Sequence, residues 1–107
     1  MSSGRPVALI TGGALRLGRC LALRLAELGW DLIINYRSSA DAADSLVEQI
    51  QAMGVRARAV QADVSNAASV AAMFEAIPRH EGRLDLLVNN VGNYDPKPLR
   101  QLSVTDW

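Results

Sequence analysis

The residues best placed to do chemistry are glycines that follow the first apolar run of the chain. Residues 7–10 are four consecutive apolar residues, typical of a strand buried on both faces of a parallel sheet. Gly12, Gly13 and Gly18 then accompany a change to a helical pattern. Glycines let the backbone approach a ligand without a Cβ atom, and the first N–H groups of a helix attract anions. The pattern predicts a phosphate-binding turn; the alternative is a tight strand-to-helix connection without a ligand.

Other reactive side chains give weaker signals. His80 is the only histidine, and we expect it to be a solvated residue of a polar loop over residues 79–83. Cys20 is the only cysteine, so it has no disulfide partner in the chain, and its Leu and Ala neighbours predict a buried side chain. Asp63 is explained equally well as a helix-capping residue. We predict no metal site.

The elements that must position these residues alternate along the chain. Apolar runs predict four strands, which begin at residues 7, 32, 55 and 84. The first helix has an apolar stripe, the second begins after Ser39 and ends at Gly54, and the third is broken by Pro78. The stripe of the first helix consists of Leu17, Leu21, Leu25 and Leu28. This order predicts an α/β fold, a doubly wound parallel sheet with right-handed crossovers.

Three motifs carry a family resemblance. The run Thr11-Gly12-x-x-x-Arg16-Leu17-Gly18 resembles the Thr-Gly-x-x-x-Gly-x-Gly turn of short-chain dehydrogenases/reductases. Arg16 replaces the middle glycine, as in pteridine reductases and some NADP-dependent 3-oxoacyl reductases. Asp63-Val64 is similar to the family's adenine-contacting pair, and Asn89-Asn90-Val91-Gly92 to its Asn-Asn-Ala-Gly element. The resemblance implies a Rossmann-type fold.

The resemblance also implies a dinucleotide site. Its residues would be Gly12, Arg16, Leu17, Gly18, Arg37, Asp63, Val64, Asn89 and Gly92. In the family, the Asn-Asn element ties strands together and passes close to the adenosine ribose. The alternative for this element is a strand-end turn that uses Asn and Gly for their tolerance of positive φ.

The end of the second strand predicts the cofactor. Selection of NAD in this fold relies on a carboxylate that binds the ribose 2′-hydroxyl, and the matching position here is Tyr36, flanked by Asn35 and Arg37. Arg16 and Arg37 could instead bind a 2′-phosphate through paired donors. We therefore predict NADP(H); the alternative is that both arginines are solvated surface residues.

The catalytic residues of the family are missing from this sequence. Tyr36 and Tyr94 have no Lys four residues later, since Ala40 and Pro98 stand there. A helix-start pattern at residues 103–106 comes just before Trp107, the last residue. We expect residues 1–107 to form one NADP(H)-binding half-domain, a fragment truncated after the fourth strand and inactive alone.

Composition and resemblance together predict the wider role. The 11 basic and 11 acidic residues balance, which indicates no nucleic-acid or membrane partner. The single cysteine and the lack of a leader or spanning run predict a cytoplasmic protein. The resemblance implies an oxidoreductase that reduces a small carbonyl or pterin substrate by hydride transfer, as a homodimer or homotetramer when complete. The alternative is a non-catalytic dinucleotide-binding or regulatory module.

Overall fold

Four parallel strands form the centre of the protein. The computed structural model describes residues 4–90, and within them the strands lie side by side in the order β3-β2-β1-β4. The elements are β1 (Val7–Thr11), α1 (Arg16–Glu27), β2 (Asp31–Tyr36), α2 (Ala40–Ala52), β3 (Ala57–Gln61), α3 (Ala67–His80) and β4 (Leu86–Asn89). Leu9 of β1 stands opposite Ile33 of β2 and Leu87 of β4. The predicted α/β fold with a doubly wound parallel sheet is confirmed.

Side chains that alternate along β1 build two cores, one on each face of the sheet. Ala8 and Ile10 belong to the cluster beneath α1 and α2, which includes Leu46. Val7 and Leu9 face α3 and pack with its Met73. Because successive side chains of a strand point to opposite faces, a strand that is apolar throughout can serve both layers. Within residues 4–90, two helices cover one face of the sheet and one helix covers the other.

The buried face of α1 differs from the predicted leucine stripe. Its buried positions are Gly18, Ala22 and Ala26. Of the predicted stripe, Leu21 and Leu25 pack partly buried against the core, whereas Leu17 and Leu28 are 62% and 59% exposed. Small residues let the helix axis approach the sheet closely, and this decides which face is turned inward. Cys20 lies outside this buried face of α1 and is exposed, so the expectation of a buried thiol is wrong.

The third helix runs further than its proline suggested. Pro78 lies inside α3, which continues to His80, so Arg79 and His80 are helical rather than part of a loop. The chain closes the helix beyond the proline, since the N–H groups of Glu81 and Gly82 both donate to the carbonyl of Ile77. Proline has no N–H to donate within a helix, and α3 ends within the turn that follows Pro78.

The helix ends follow the predicted punctuation only in part. Gly29 and Gly54 have φ of 91° and 94°, which suits glycine after a helix. Ser39 is the N-cap of α2, but its side chain makes no capping bond. Asn66, not Asp63, caps α3 by accepting from the N–H of Ser69 at 3.0 Å. Among the described residues, no helix is long and apolar enough to span a membrane.

Candidate functional site

The candidate site lies along one edge of the sheet, where the carboxyl ends of all four parallel strands meet. The turn after β1, the segments after β2 and β3, and Asn90 after β4 converge there. In open parallel sheets this edge is the usual place for a ligand, at the point where successive connections leave on opposite faces.

The glycine turn between β1 and α1 is held by the end of β2. Gly12 has a φ of 60° and donates its N–H to Oδ1 of Asn35 at 3.3 Å. Gly13 donates to the backbone carbonyl of Asn35 at 3.1 Å. The N–H groups that open α1, residues 16–18, have no acceptor within the helix. They are the donors that the turn can offer to an anion.

Arg16 begins α1 in a left-handed conformation, with a φ of 52°. Glycine adopts such a φ without steric cost, whereas a residue with a Cβ atom pays for it. The left-handed backbone conformation explains why glycine suits this position of the motif. An arginine at the same position adopts this conformation at a cost in free energy.

Gly18 is crowded by the chain itself. A Cβ atom there would lie 2.6 Å from the carbonyl oxygen of Gly12, 2.8 Å from Cα of Gly13 and 2.8 Å from Nδ2 of Asn90. The start of α1 therefore rests directly on the glycine turn. Close packing within the chain is by itself sufficient to require glycine at this position.

Thr11 connects β1 to the end of β4. Its buried hydroxyl donates to Oδ1 of Asn89 at 2.9 Å, with the carbonyl of Val88 at 3.3 Å, and accepts from the N–H of Asn90 at 2.9 Å. The side chain of Asn89 is thus used within the sheet. Asn90 faces the cavity instead.

The larger of two cavities at this edge has a volume of about 300 Å³ and extends toward the end of β3. It is lined by Gly12, Asn35, Arg37, Ala62, Asp63, Val64, Ser65 and Asn90. The carboxylate of Asp63 accepts from the hydroxyl and the N–H of Ser65, at 2.6 and 3.0 Å. These two bonds, with a smaller contribution from the charge of Arg37, lower the pKa of Asp63 below its ordinary 3.8. The carboxylate is therefore ionised and oriented at neutral pH.

The smaller cavity, of about 170 Å³, lies between the glycine turn and the start of α2. It is lined by Gly12, Ala14, Leu15, Tyr36, Arg37, Ser38 and Ser39. Arg37 and Gly12 border both cavities. The lining of the smaller cavity contains no carboxylate, one guanidinium group and three hydroxyls, those of Tyr36, Ser38 and Ser39. This combination suits a phosphate group.

The structure brings together only some of the predicted site residues. Gly12, Arg37, Asp63 and Val64 line the larger cavity. Arg16 and Leu17 are exposed and line neither cavity, Gly18 is buried beneath the turn, and Asn89 is engaged with Thr11. Gly92 and Tyr94 lie outside the described residues.

Sequence reasoning missed Asn35, Asn90 and Ser65 as residues of the site. Asn35 had a detectable signal, because it is a polar residue that directly follows the apolar run of β2. Asn90 belongs to the Asn-Asn motif that carries the family resemblance, whereas Ser65 carried no signal that separates it from ordinary turn residues. Within residues 4–90 there is no group of three His, Cys, Asp or Glu side chains that could hold a metal ion.

Comparison with known proteins gives a consistent result. The family model of short chain dehydrogenases matches residues 6–107. The chain is 42% identical over 101 residues to hydroxynaphthalene reductase arp2 of Aspergillus fumigatus, covering 94% of this chain and 37% of the relative. It is 40% identical over 100 residues to the 3-oxoacyl-[acyl-carrier-protein] reductase FabG of Staphylococcus aureus, covering 94% of this chain and 41% of the relative.

A solved structure is similar over the same region. The short chain dehydrogenase of Burkholderia cenocepacia in complex with NADP superposes with a TM-score of 0.79 at 39% identity, covering 94% of this chain and 41% of that one. The chain thus spans about two fifths of the length of the relatives it matches.

Proposed function

Because this chain belongs to the short-chain dehydrogenase family, we propose that it forms the NADP(H)-binding part of an oxidoreductase that reduces a carbonyl or pterin substrate by hydride transfer. The glycine turn, the two cavities at the carboxyl edge and the NADP complex of the Burkholderia protein support this proposal.

The residues present fit a dinucleotide. The open N–H groups at the start of α1 would bind the pyrophosphate, as helix N-termini do in this fold. Asp63 would accept a hydrogen bond from the exocyclic amine of adenine, with Val64 beside it in the larger cavity. Gly18 would keep α1 against the turn. The Asn-Asn element that begins at Asn89 and includes Gly92 would lie close to the adenosine ribose.

The observation that carries the choice of NADP(H) is the position of Arg37. It borders both cavities, directly after the end of β2, and the smaller cavity offers no carboxylate to a ribose 2′-hydroxyl. A guanidinium group in this place can bind a 2′-phosphate with two parallel hydrogen bonds. Arg16, exposed at the start of α1, would add a second positive charge near the turn.

The bound cofactor supplies the hydride, and the residues of this chain bind and orient it. Reduction of a carbonyl converts NADPH, the substrate and one proton into NADP⁺ and an alcohol. The chain contains no Tyr-x-x-x-Lys pair, so in this proposal the proton donor and most of the substrate pocket belong to a further part of the protein. The proposal includes a homodimer or homotetramer in the cytoplasm.

The names of the relatives support carbonyl chemistry more directly than pterin chemistry. One is a 3-oxoacyl-[acyl-carrier-protein] reductase and the other a hydroxynaphthalene reductase. We therefore propose a 3-oxoacyl or ketone substrate first, with a pterin as the second candidate because Arg16 occupies the middle glycine position.

Turnover assays on the complete protein test the proposal. NADPH oxidation would be followed with a 3-oxoacyl thioester, an aromatic ketone and an oxidised pterin in parallel, with NADPH titrations on the same preparation. We expect turnover with at least one substrate. Tight NADPH binding without turnover on any of them would favour the non-catalytic module, and no binding of either nicotinamide cofactor would contradict both readings.

A further inference from the structure

Asn35 stands at the centre of the hydrogen bonds that shape the site. It lies in β2 between β1 and β3, and it is only 2% exposed. Its Oδ1 accepts from the N–H of Gly12 at 3.3 Å, and its Nδ2 donates to the carbonyls of Val60 at 3.3 Å and Ala62 at 3.2 Å. One side chain thus connects the glycine turn to the end of β3.

The chemistry of an amide matches these three partners. An asparagine offers one carbonyl oxygen and two N–H groups, and its surroundings present one N–H and two carbonyls. A carboxylate in this place would have only acceptors to set against the two carbonyls. An aliphatic side chain would leave the partly buried N–H of Gly12, and the two carbonyls, without this partner, which costs free energy.

These bonds decide which amides of the turn can serve a ligand. The N–H groups of Gly12 and Gly13 are both taken up by Asn35, one by its side chain and one by its backbone. An anion must therefore bind to N–H groups further along, at the start of α1. At the other end of the site, the bond to Ala62 fixes the residue that immediately precedes Asp63.

We infer that Asn35 is a positioning residue for the dinucleotide: its amide sets the conformation of the glycine turn and holds it at a fixed separation from Asp63 across the larger cavity. This inference rests on the proposed function, because it concerns the same cofactor site. Asn35 itself acts through Gly12 and Ala62, not through the reacting atoms.

The test is a titration of the complete protein and two variants with NADPH, which yields both the dissociation constant and the number of sites. Asn35→Leu removes all three hydrogen bonds and keeps the branched shape of the side chain, with two methyl groups in place of the amide oxygen and nitrogen. Gln51→Leu is the matched control, since the amide of Gln51 also donates to a β3 carbonyl, that of Ala57, but at the opposite end of the strand. A positioning role raises the dissociation constant with an unchanged number of sites, whereas mere loss of folding lowers the number of sites.

We expect Asn35→Leu to weaken NADPH binding by about tenfold or more, because the N–H of Gly12 and the carbonyls of Val60 and Ala62 all lose this partner. Gln51→Leu should bind as the unmodified protein does. An unchanged dissociation constant in Asn35→Leu, or a loss of sites alone, would overturn the inference. In this titration, the proposed function fails only if the unmodified protein binds no nicotinamide cofactor. If the unmodified protein binds NADPH and Asn35→Leu binds it equally well, the inference about Asn35 fails and the proposed function stands.

Amide hydrogen exchange on the unmodified protein provides a second test if Asn35→Leu does not fold. The N–H of Gly12 should be protected without cofactor and equally protected with NADPH bound, while residues 16–18 gain protection on binding. Protection of the Gly12 N–H that appears only with NADPH would show a direct ligand contact and contradict the role of Asn35.

Discussion

At the scale of single residues, the site combines strain with strong local hydrogen bonding. Arg16 adopts a φ of 52°, and Asp63 accepts two bonds from Ser65. The sequence identified both residues as candidates because they belong to recognisable motifs. It could not show that Arg16 is strained or that Asp63 is held by Ser65, because both facts depend on backbone conformation.

Arg16 provides a prediction that reverses ordinary helix propensity. In a helix, Ala is usually more stabilising than Gly by about 1 kcal/mol. At a φ of 52°, however, the Cβ atom itself carries a cost of about 1–2 kcal/mol. We expect Arg16→Gly to be at least as stable as Arg16→Ala in denaturant unfolding, and both to bind NADPH more weakly than the unmodified protein. A clearly more stable alanine variant would refute the strained conformation.

Asp63 provides a pH prediction. Its folded pKa is depressed, so the stability that its ionised form contributes is complete above the ordinary value of 3.8 and is lost as pH falls through the lower folded value. Ser65→Ala removes the largest cause of the shift and should move the pKa of Asp63 back toward 3.8. Carboxyl NMR titration would measure this. The stability difference between the two proteins should be constant from about pH 7 to pH 5 and shrink at lower pH; a difference that grows on acidification would contradict the assignment.

At the scale of elements, periodicity located each helix and strand of residues 4–90 but not always the buried face. The leucines of α1 have helical spacing, yet Gly18, Ala22 and Ala26 face the sheet. A leucine stripe and a stripe of small residues are both consistent with a helix, and only the distance between helix and sheet decides between them. The sequence also predicted the end of α3 too early, at Pro78. In the structure the helix continues to His80.

The contact between α1 and the glycine turn predicts the cost of one added methyl group. Gly18→Ala places a Cβ atom 2.6 Å from a backbone oxygen, so we expect a loss of about 1–3 kcal/mol in unfolding free energy despite the better helix propensity of Ala. Gly29→Ala is the comparison, because its Cβ would meet nothing within 4 Å and only its φ of 91° is unfavourable. Both variants should lose stability, but Gly18→Ala alone should weaken NADPH binding. Equal NADPH affinity in the two would argue against a turn shaped by α1.

At the scale of the whole molecule, the alternation of strands and helices was sufficient to predict a doubly wound parallel sheet. The order β3-β2-β1-β4 follows from right-handed crossovers and from the reversal after β3. The tertiary links were beyond sequence reasoning. Those from Asn35 to Gly12 and Ala62 join residues far apart in sequence and could be found only from the packed structure. The resemblance implied that the Asn-Asn element ties strands together, but the structure was needed to identify Thr11 as the partner of Asn89.

The same architecture predicts how these 107 residues behave when produced alone. Among residues 4–90, the outer edge of β4 has no paired strand, and Leu17 and Leu28 are largely exposed. Open strand edges and exposed apolar side chains promote association. We expect poor solubility, aggregation in sedimentation velocity and no reductase activity. A monodisperse monomer that melts cooperatively would contradict this expectation.

The most direct test of the central claim is a parallel titration of the complete protein with NADPH and NADH. A hydrogen bond to a charged group contributes about 1.5–3 kcal/mol, which corresponds to roughly one to two decades of affinity. We predict tighter binding of NADPH by that margin, its loss in Arg37→Ala with NADH binding nearly unchanged, and no effect of Arg79→Ala at the far end of α3. Equal affinity of the unmodified protein for NADPH and NADH would contradict the assignment of this site to a 2′-phosphorylated dinucleotide.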